Sequence, residues 1–392
     1  MKEAVIAAFG RSAIGKAPKG KLKDTCPTEF GAQVLKGVLN KLPQLDQSQI
    51  DDIVVGCAFP EAEQGLNVAR TIALRAGVPE SVPAYTLNRF CASGLQSIAD
   101  AANSIMAGQA EIVVAGGVES MSKVPMGGNL LIPNAYFMDH YPAAHVAMGT
   151  TAENVAAKYG VTREDQDIFA YDSHIKAAKA QAEGKFAPEI IPVEAVQVAA
   201  DEKGNPVKKL VRFDRDEGVR PNITMEGLDK LPTVFKKNGT VTPGNASQMS
   251  DGAAFVVLME KERALSLGIT PVARFISFAS AGVDPNLMGI GPIAAIPKAL
   301  KLAGISKDNL DLIELNEAFA SQSLACIREL ELNPERVNVN GGAIALGHPL
   351  ACTGSFLTCK LLPELARRGG RYGLVGMCIG GGMGAAAVME LL

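Results

Sequence analysis

Short apolar runs alternate with longer amphipathic stretches along the chain, and this alternation predicts an α/β protein. Over the first third, the pattern predicts strands at 4–9, 52–58, 84–87 and 112–115 and helices at 27–42, 66–76 and 93–107. Near the carboxyl terminus it predicts strands at 274–278, 312–315, 337–339 and 372–377 and helices at 293–303, 321–330 and 355–367. The order of elements is the same in both regions, so the chain carries an internal duplication.

The ends of the two repeats support this duplication. The segment 384–390 reads GAAAVME, and the segment 252–260 reads GAAFVVLME. A repeat of this length is too long for a solenoid and indicates two similar α/β lobes. In the second lobe the last two strands follow each other almost directly, whereas in the first lobe residues 119–250 separate them.

The inserted stretch differs from the lobes in its composition and in the elements that it predicts. It is rich in Met, Gly and Pro at first, then helical over 151–184, then charged and loop-like to residue 245. We interpret it as an insertion in the first lobe that covers a site; the alternative is a peripheral insertion without such a role. The expected division is therefore 1–118 with 250–271 as the first half, 119–249 as an inserted loop domain, and 272–392 as the second half.

Composition excludes several classes of protein. A hydrophobic fraction of 47% with 20% charged residues is typical of a compact folded chain. The net charge is −3 with scattered cations, which argues against nucleic-acid binding. No apolar run reaches the roughly 18 residues of a membrane span. Seven cysteines without a C-x-x-C pair favour neither disulfides nor a metal site, and a cytoplasmic location is expected.

Glycine is in excess, with 40 residues in 392, and many glycines lie in the last quarter of the chain. One glycine-containing turn, NRFCASG, follows the strand at 84–87 and places Cys91 before a helix. Helix amino termini favour a thiolate and lower a cysteine pKa, so Cys91 is a candidate nucleophile. The alternative is a small buried apolar residue at a strand–helix turn.

The matching turn of the second lobe contains His348 in the glycine-dense stretch NGGAIALGHPLACTG. A cysteine and a histidine at equivalent positions of two lobes suit a nucleophile–base pair. A histidine hydrogen-bonded to loop backbone is the alternative.

Two further strand ends carry polar or reactive groups. Cys378 begins the stretch CIGGGMG, whose backbone N–H groups could hold an oxyanion. Asn316 and Glu317 follow the strand at 312–315, at the kind of edge where α/β sites form. Asn316 could orient a water molecule, and Glu317 could anchor a neighbouring segment.

These motifs together resemble the active-site motifs of the thiolase family. NRFCASG, NEAFA, GGAIALGHP and CIGGGMG occur in the family's order and extend the resemblance over essentially the whole chain. The resemblance implies the thiolase fold: two βαβαβαββ halves in a five-layer αβαβα arrangement, with an inserted loop domain.

The resemblance also implies a reaction. Cys91 would attack a 3-ketoacyl-CoA after His348 takes its proton, and Cys378 would act as acid and base. His348 and a water held by Asn316 would form one oxyanion hole, and the N–H groups of Cys91 and Gly380 another. Coenzyme A would be a substrate, with no cofactor or metal required, and the assembly would be a homodimer or a tetramer built as a dimer of dimers.

Substrate-binding roles also follow from the resemblance. Ser247 is similar to a serine near the pantetheine and Arg220 to a residue near the CoA nucleotide. Met148, Ala318 and Phe319 are similar to residues that line the acyl pocket.

The subtype can be narrowed by small differences. Biosynthetic acetoacetyl-CoA thiolases usually have His-Met-Gly where this chain has Ala147-Met148-Gly149. The alanine and a short 119–148 loop favour a degradative, broad-chain 3-ketoacyl-CoA thiolase. A biosynthetic thiolase, a condensing enzyme of the same fold and a non-catalytic CoA- or lipid-binding protein remain alternatives.

The chain also departs from the family pattern twice. Ala351 stands where the family usually has Gly, and Phe356 where it often has Arg. If position 351 needs a positive φ, the alanine adds strain, and Ala351→Gly is expected to leave activity equal or higher.

Overall fold

Twelve strands are formed within residues 2–392, the part of the chain that a computed structural model describes. They are β1 (Ala4–Arg11), β2 (Gly15–Lys16), β3 (Asp52–Gly56), β4 (Ala84–Leu87), β5 (Ile112–Ser120), β6 (Val193–Ala200), β7 (Pro206–Phe213), β8 (Ser250–Glu260), β9 (Ala273–Gly282), β10 (Leu312–Leu315), β11 (Tyr372–Ile379) and β12 (Met383–Leu391).

The α-helices of the same residues connect and cover these strands. They are α1 (Pro27–Leu39), α2 (Val68–Ala76), α3 (Ser93–Met106), α4 (Ala135–His140), α5 (Met148–Tyr159), α6 (Arg163–Ala182), α7 (Met225–Asp229), α8 (Lys261–Ser266), α9 (Gly291–Ala303), α10 (Ala320–Glu329), α11 (Ala343–Leu346) and α12 (Thr353–Arg367). None of them is both long and apolar enough to cross a bilayer.

The main strands form two equivalent half-sheets. In the first half, β1, β8 and β5 are antiparallel neighbours, and β5, β3 and β4 run parallel. In the second half, β9, β12 and β11 are antiparallel neighbours, and β11 and β10 run parallel. The halves join where Val5 pairs with Arg274 and Ile6 with Ala273. This repetition of strand order confirms the duplicated architecture that the hydrophobic pattern predicts.

Helices α3 and α12 lie between the two half-sheets. Leu95 and Ile98 of α3 and Leu357 and Leu361 of α12 belong to one buried cluster with residues of both half-sheets. Helices α1 and α2 cover the outer face of the first half, and α9 and α10 cover that of the second. Helix and sheet layers therefore alternate five deep, and the centre of the molecule is the place where α3 and α12 begin.

Three segments differ from the pattern-based expectation. The predicted helical stretch 151–184 is divided into α5 and α6 at Gly160, whose φ is +62°. The loop-like stretch contains the β6–β7 hairpin, whose outer residues are largely exposed. The predicted strand 337–339 is reduced to a single bridge between Val337 and Ile313.

Asn338 explains the missing strand. Its φ is +46°, and its side-chain amide accepts from the N–H of Leu315 (2.9 Å) and donates to the carbonyl of the same residue (2.8 Å). A side chain thus takes the hydrogen-bonding groups that a neighbouring strand would use, and the ladder ends there.

Buried ion pairs fasten the inserted stretch to the first half. Arg11 donates to Glu189 (2.8 Å) and to both carboxylate oxygens of Asp216 (2.7 and 3.0 Å). Its guanidinium also lies 4.8 Å from the ring centroid of Phe356. Phe356, one of the two departures from the family pattern, therefore packs against a buried cation.

Candidate active site

The turn that carries Cys91 connects β4 to α3 and is held by its own side chains. Asn88 accepts from the N–H of Phe90 (2.7 Å), and the Ser93 hydroxyl accepts from the N–H of Arg89 (2.9 Å) and donates to the carbonyl of Phe90 (2.6 Å). Phe90 has a φ of +44°, which is unfavourable for a bulky side chain. These hydrogen bonds stabilise a strained backbone immediately before the cysteine.

Cys91 is a half-buried thiol with backbone donors around its sulfur. Burial raises its pKa to about 11, although hydrogen bonds from the N–H groups of Gly380 and of Cys91 itself act in the opposite direction. The expectation of a lowered pKa at this helix terminus is therefore wrong, because the loss of solvating water outweighs the backbone N–H groups. Cys91 is therefore a thiol in the resting site, and it could act as a nucleophile only with a base to take its proton.

His348 lies in the equivalent turn before α12. Its Nδ1 is 2.6 Å from the hydroxyl of Thr353, and its Nε2 is 3.4 Å from the Nδ2 of Asn316. Its backbone N–H donates to the carbonyl of Gln248 (3.0 Å) and to the hydroxyl of Ser250 (3.2 Å). Every nitrogen of the residue thus has a partner within the protein.

The electrostatic setting of His348 suits a neutral base. The residue is buried, and burial lowers its pKa to about 4. The imidazole is therefore uncharged near neutral pH, since its ordinary pKa is 6.5. A neutral imidazole beside a neutral thiol is a site in which the proton moves only during the reaction.

Cys378 lies near the end of β11, and Gly380 directly follows that strand, on the other side of the site. Cys378 is buried in a cluster with Ala318 and Phe319, and burial next to Cys91 raises its pKa well above the ordinary value. Gly380 follows two residues later, and its N–H points at the sulfur of Cys91. Two thiols and a backbone donor therefore converge at one place.

Asn316 and Glu317 follow β10 and have different surroundings. Asn316 is fully buried, and its Oδ1 has no hydrogen-bond partner. Glu317 accepts from the hydroxyl of Ser173 (2.6 Å), from Asn338 (2.9 Å) and from the N–H of Ile344 (3.3 Å). Asn316 thus has a free acceptor inside the site, whereas Glu317 fastens the loop that leads to His348.

Two glycines allow the cysteine and histidine turns to touch. A Cβ at Gly94 would lie 2.6 Å from the carbonyl oxygen of Ala351, closer than side chains approach. A Cβ at Gly354 would collide with the backbone N of Leu95. The amino-terminal ends of α3 and α12 therefore meet at bare backbone, and this contact brings Cys91 and His348 into one site.

Most of the residues that are expected to bind substrate lie near Cys378. Met148, Ala318 and Phe319 pack with Cys378, and Ser247 donates its N–H to the carbonyl of Ala318 (3.0 Å). Arg220 differs, because it is exposed and its backbone N–H bonds to His174 (3.2 Å). The apolar group and Ser247 are thus next to the thiols, and Arg220 lies on the surface.

Glu119 contacts the site but was missed by sequence reasoning. It ends β5, is buried, and accepts from the N–H groups of Ala58 (2.9 Å) and Ala351 (3.1 Å) and from the side chain of Gln64 (2.6 Å). A carboxylate at the end of a buried strand was the available signal. Its carboxylate therefore joins the turn that contains Ala351 to the segment that follows β3.

Gln248 and Thr353 were also missed. The side-chain amide of Gln248 donates to the carbonyls of Gly218 (3.0 Å) and Ile344 (3.0 Å), while the backbone carbonyl of Gln248 accepts from the backbone N–H of His348. Thr353 is the first residue of α12 and bonds to the imidazole. Both lie within five residues of a predicted site residue, but spacing alone does not indicate their contacts.

The strain expected at Ala351 is absent. The residue lies in the 3-10 turn Leu350–Cys352 and is not among the residues with a positive φ. Its methyl group is fully buried beside Met121 and Leu350. The argument that glycine would relieve the backbone at this position is therefore wrong.

Metal chemistry has no evident ligands. Among residues 2–392, no group of three or more histidine, cysteine, aspartate or glutamate side chains is arranged to hold a metal ion.

The site and the fold together define an acyl-transferring enzyme, and comparison with known proteins gives its family. The chain matches the thiolase N-terminal domain over residues 4–262 and the thiolase C-terminal domain over residues 269–391. It belongs to the thiolase family.

Relatives and solved structures agree with this assignment. The chain is 55% identical over 391 residues to the 3-ketoacyl-CoA thiolase of Bacillus subtilis, with 100% of both chains covered. The Bacillus anthracis acetyl-CoA acetyltransferase superposes with a TM-score of 0.89 at 41% identity, covering 100% of this chain and 99% of that one. Human mitochondrial 3-ketoacyl-CoA thiolase gives a TM-score of 0.88 at 37% identity with the same coverage.

Proposed function

We propose that this thiolase cleaves 3-ketoacyl-CoA with coenzyme A, giving acetyl-CoA and an acyl-CoA shortened by two carbons. The observation that carries the proposal is the convergence of a protonated nucleophile, a neutral buried base and a second thiol around the N–H groups of Cys91 and Gly380. The 55% identical relative named 3-ketoacyl-CoA thiolase supports the same reaction.

In the first half-reaction, Cys91 forms a thioester. His348 takes the thiol proton as the sulfur attacks the C3 carbonyl, and the resulting oxyanion accepts hydrogen bonds from the N–H groups of Cys91 and Gly380. The C2–C3 bond then breaks, and its electron pair passes to C2 as the enolate of acetyl-CoA. Cys378 gives its proton to that carbon, while His348 and a water held by Asn316 stabilise the enolate oxygen.

In the second half-reaction, coenzyme A takes the acyl group. The Cys378 thiolate removes the proton of the CoA thiol, whose sulfur attacks the thioester carbonyl. Cys91 leaves as a thiolate and regains its proton from His348. The raised pKa of both cysteines and the lowered pKa of the imidazole fit this scheme, since no group rests in its charged form.

The unpaired oxygen of Asn316 supports its share in this mechanism. A buried acceptor without a partner has a large desolvation cost unless water or substrate bonds to it. A water molecule at this position would receive its orientation from Asn316 and could donate its second proton to the thioester oxygen.

The proposal assigns the acyl chain to the apolar side of the site. Met148, Ala318 and Phe319 would line the pocket, Ser247 would lie beside the pantetheine, and the exposed Arg220 would bind the nucleotide phosphates. Residues 119–249 would cover the substrate as an inserted domain between residues 1–118 with 250–271 and residues 272–392. Ala147 and the relatives named 3-ketoacyl-CoA thiolase support a degradative, broad-chain role, with biosynthetic acetoacetyl-CoA synthesis as the alternative.

The proposal extends to assembly and location. We place the enzyme in the cytoplasm as a homodimer or a dimer of dimers, and size-exclusion chromatography with light scattering measures the assembly directly. Neither nucleic acid nor membrane is a proposed partner.

Mass spectrometry after incubation with acetyl-CoA tests the chemistry. An acetyl adduct is expected on the peptide that contains Cys91, and Cys91→Ala should abolish it together with thiolysis. Cys352→Ala is the matched control, because Cys352 is a buried thiol of the other turn and should be dispensable for the adduct. An active protein without an adduct at Cys91 would contradict the mechanism.

Chain-length preference separates the two subtypes. Thiolysis of a long-chain 3-ketoacyl-CoA should be at least as efficient, by kcat/KM, as thiolysis of acetoacetyl-CoA. Strict preference for the four-carbon substrate would favour the biosynthetic alternative.

A further inference from the structure

The first residues of α3 and α12 hold equivalent positions but make different contacts. Ser93 begins α3 and hydrogen-bonds to the backbone of its own turn, at Arg89 and Phe90. Thr353 begins α12, and its hydroxyl lies 2.6 Å from Nδ1 of His348. The hydroxyl that stabilises backbone in one half is directed at the imidazole in the other.

The hydrogen bonds of the imidazole define its tautomer. Nε2 faces the Nδ2 of Asn316, which is an amide nitrogen and can only donate. Nε2 must therefore present its lone pair, and the ring proton resides on Nδ1. Thr353 then accepts that proton through Oγ1, because a neutral imidazole whose Nε2 presents a lone pair has its only N–H at Nδ1.

Burial makes Thr353 the partner that holds this state. The Thr353 side chain is fully buried, and His348 is 6% exposed, so bulk water has little access to Nδ1. The intervening turn is rigid: the N–H of Leu350 donates to the carbonyl of His348 (2.9 Å), and that of Cys352 to the carbonyl of Pro349 (2.8 Å). The distance between the hydroxyl and the imidazole is therefore fixed by backbone geometry.

We infer that Thr353 is a positioning residue that fixes His348 in its Nδ1–H tautomer, so that the lone pair used to take up a proton is the one on Nε2, which faces Asn316. The inference deepens the proposed function and rests on its assignment of His348 as the base. Thr353 itself does not touch the reacting atoms; it decides which imidazole nitrogen can serve them. Loss of its acceptor would let the ring proton move to Nε2, where it would block the base.

Two substitutions separate the hydroxyl from the shape of the side chain. Thr353→Val keeps the branched shape but removes the acceptor, and kcat should fall on the order of 10- to 100-fold with KM little changed. Thr353→Ser keeps the hydroxyl and should retain most of the activity. Parent-like kcat in Thr353→Val would overturn the inference, and so would an equal loss in both variants, which is the result of a purely structural role.

Nitrogen-15 NMR of the histidine side chains reads the tautomer directly. The chain has four histidines, so the His348 signal can be assigned by comparison with His348→Asn. The parent protein near pH 7 should show a protonated Nδ1 and an unprotonated Nε2, and Thr353→Val should shift the population toward Nε2–H. A parent protein with the proton on Nε2 would overturn the inference.

The tautomer of the parent protein can be read without turnover and without a folded Thr353→Val variant. If Cys91 forms no acyl adduct, the proposed function fails, while the tautomer of the resting parent protein still decides the role of Thr353. If Thr353→Val does not fold by circular dichroism, the spectrum of the parent protein and the activity of Thr353→Ser decide it.

Discussion

The two turns that precede α3 and α12 are copies of one structural element with divided chemistry. Each consists of a 3-10 turn, Phe90–Ala92 or Leu350–Cys352, followed directly by the helix. In this correspondence Cys91 matches Ala351, so the second copy has a methyl group where the first has its thiol. The second copy instead supplies His348, three residues earlier.

The copies also differ in backbone strain and exposure. The first turn has Phe90 in the left-handed region with a partly exposed ring, whereas the residues of the second turn are buried and none has a positive φ from His348 to Thr353. The turn of Cys91 is therefore partly exposed and costly in backbone energy, and the turn of His348 is buried and relaxed. The strained backbone thus lies directly before Cys91, whereas the backbone around His348 is unstrained.

A substitution that pushes the two turns apart should have the largest effect on activity. Gly94→Ala places a methyl group against the carbonyl of Ala351, and the turns must move apart. We expect kcat to fall by about 100-fold, because misplacement of catalytic groups by about 1 Å costs that much. The unfolding free energy should fall by about 1–3 kcal/mol.

Steady-state kinetics and denaturant unfolding measure both quantities. Gly282→Ala is the matched control, since a Cβ there meets no atom within 4 Å and its φ is not left-handed. Equal kcat in the two variants would mean that contact between the turns is not needed for catalysis.

The second prediction compares the protonation of the Cys91 thiol with that of a free cysteine. Because burial raises the pKa of Cys91 to about 11 from an ordinary 9.0, its thiolate fraction at pH 8 is about 100-fold below that of a free cysteine. The rate of Cys91 alkylation by iodoacetamide should rise about tenfold per pH unit from pH 8 to 10 without a plateau.

The rate is followed by mass spectrometry of the Cys91 peptide, with Cys91→Ala to identify it. A plateau near pH 8 would indicate a preformed thiolate stabilised by the helix terminus, as the local sequence suggests.

The smallest effect on activity is expected at Ala351, the residue that matches Cys91 in the second turn. Ala351→Gly should lower the unfolding free energy by about 1–2 kcal/mol, from about 1 kcal/mol of helical propensity and about 0.8 kcal/mol for the buried methyl. The kcat should stay close to that of the parent, because the backbone of Ala351 is unstrained. Thermal and denaturant unfolding measure the change, and an increase in stability would restore the strain argument.

Much of the fold could be predicted because its information is local. The alternation of apolar runs defined both halves, and Cys91, His348, Asn316 and Cys378 could be located because each comes after a predicted strand, although the structure forms no strand before His348 and includes Cys378 in β11. The exposed hairpin β6–β7 could not, since the charged residues of its turn and of β7 are typical of a loop and its pairing depends on the partner strand. The strand expected at Val337 failed for a related reason, because one asparagine side chain supplies the hydrogen bonds of a strand.

The electrostatics of the site could not be predicted from local pattern. The helix-terminus argument for Cys91 is valid for an exposed turn, but burial by the second half reverses the direction of the pKa shift. The tautomer of His348 depends on Asn316 and Thr353, which come from a different strand end and from the next helix. Such properties arise only when the halves are assembled.

The contact between the first turns of α3 and α12, made at Gly94 and Gly354, is arranged like an interface between two identical subunits. Gly94 approaches Ser355, and Gly354 approaches Leu95, which is the counterpart of Ser355 in the first half. Two separate copies of one half, joined by a twofold axis, would make the same isologous contact but would carry the same residue on both sides. Covalent fusion of the copies is what permits a thiol on one side of the axis and an imidazole on the other. The single chain thus gains an asymmetric site from a symmetric scaffold.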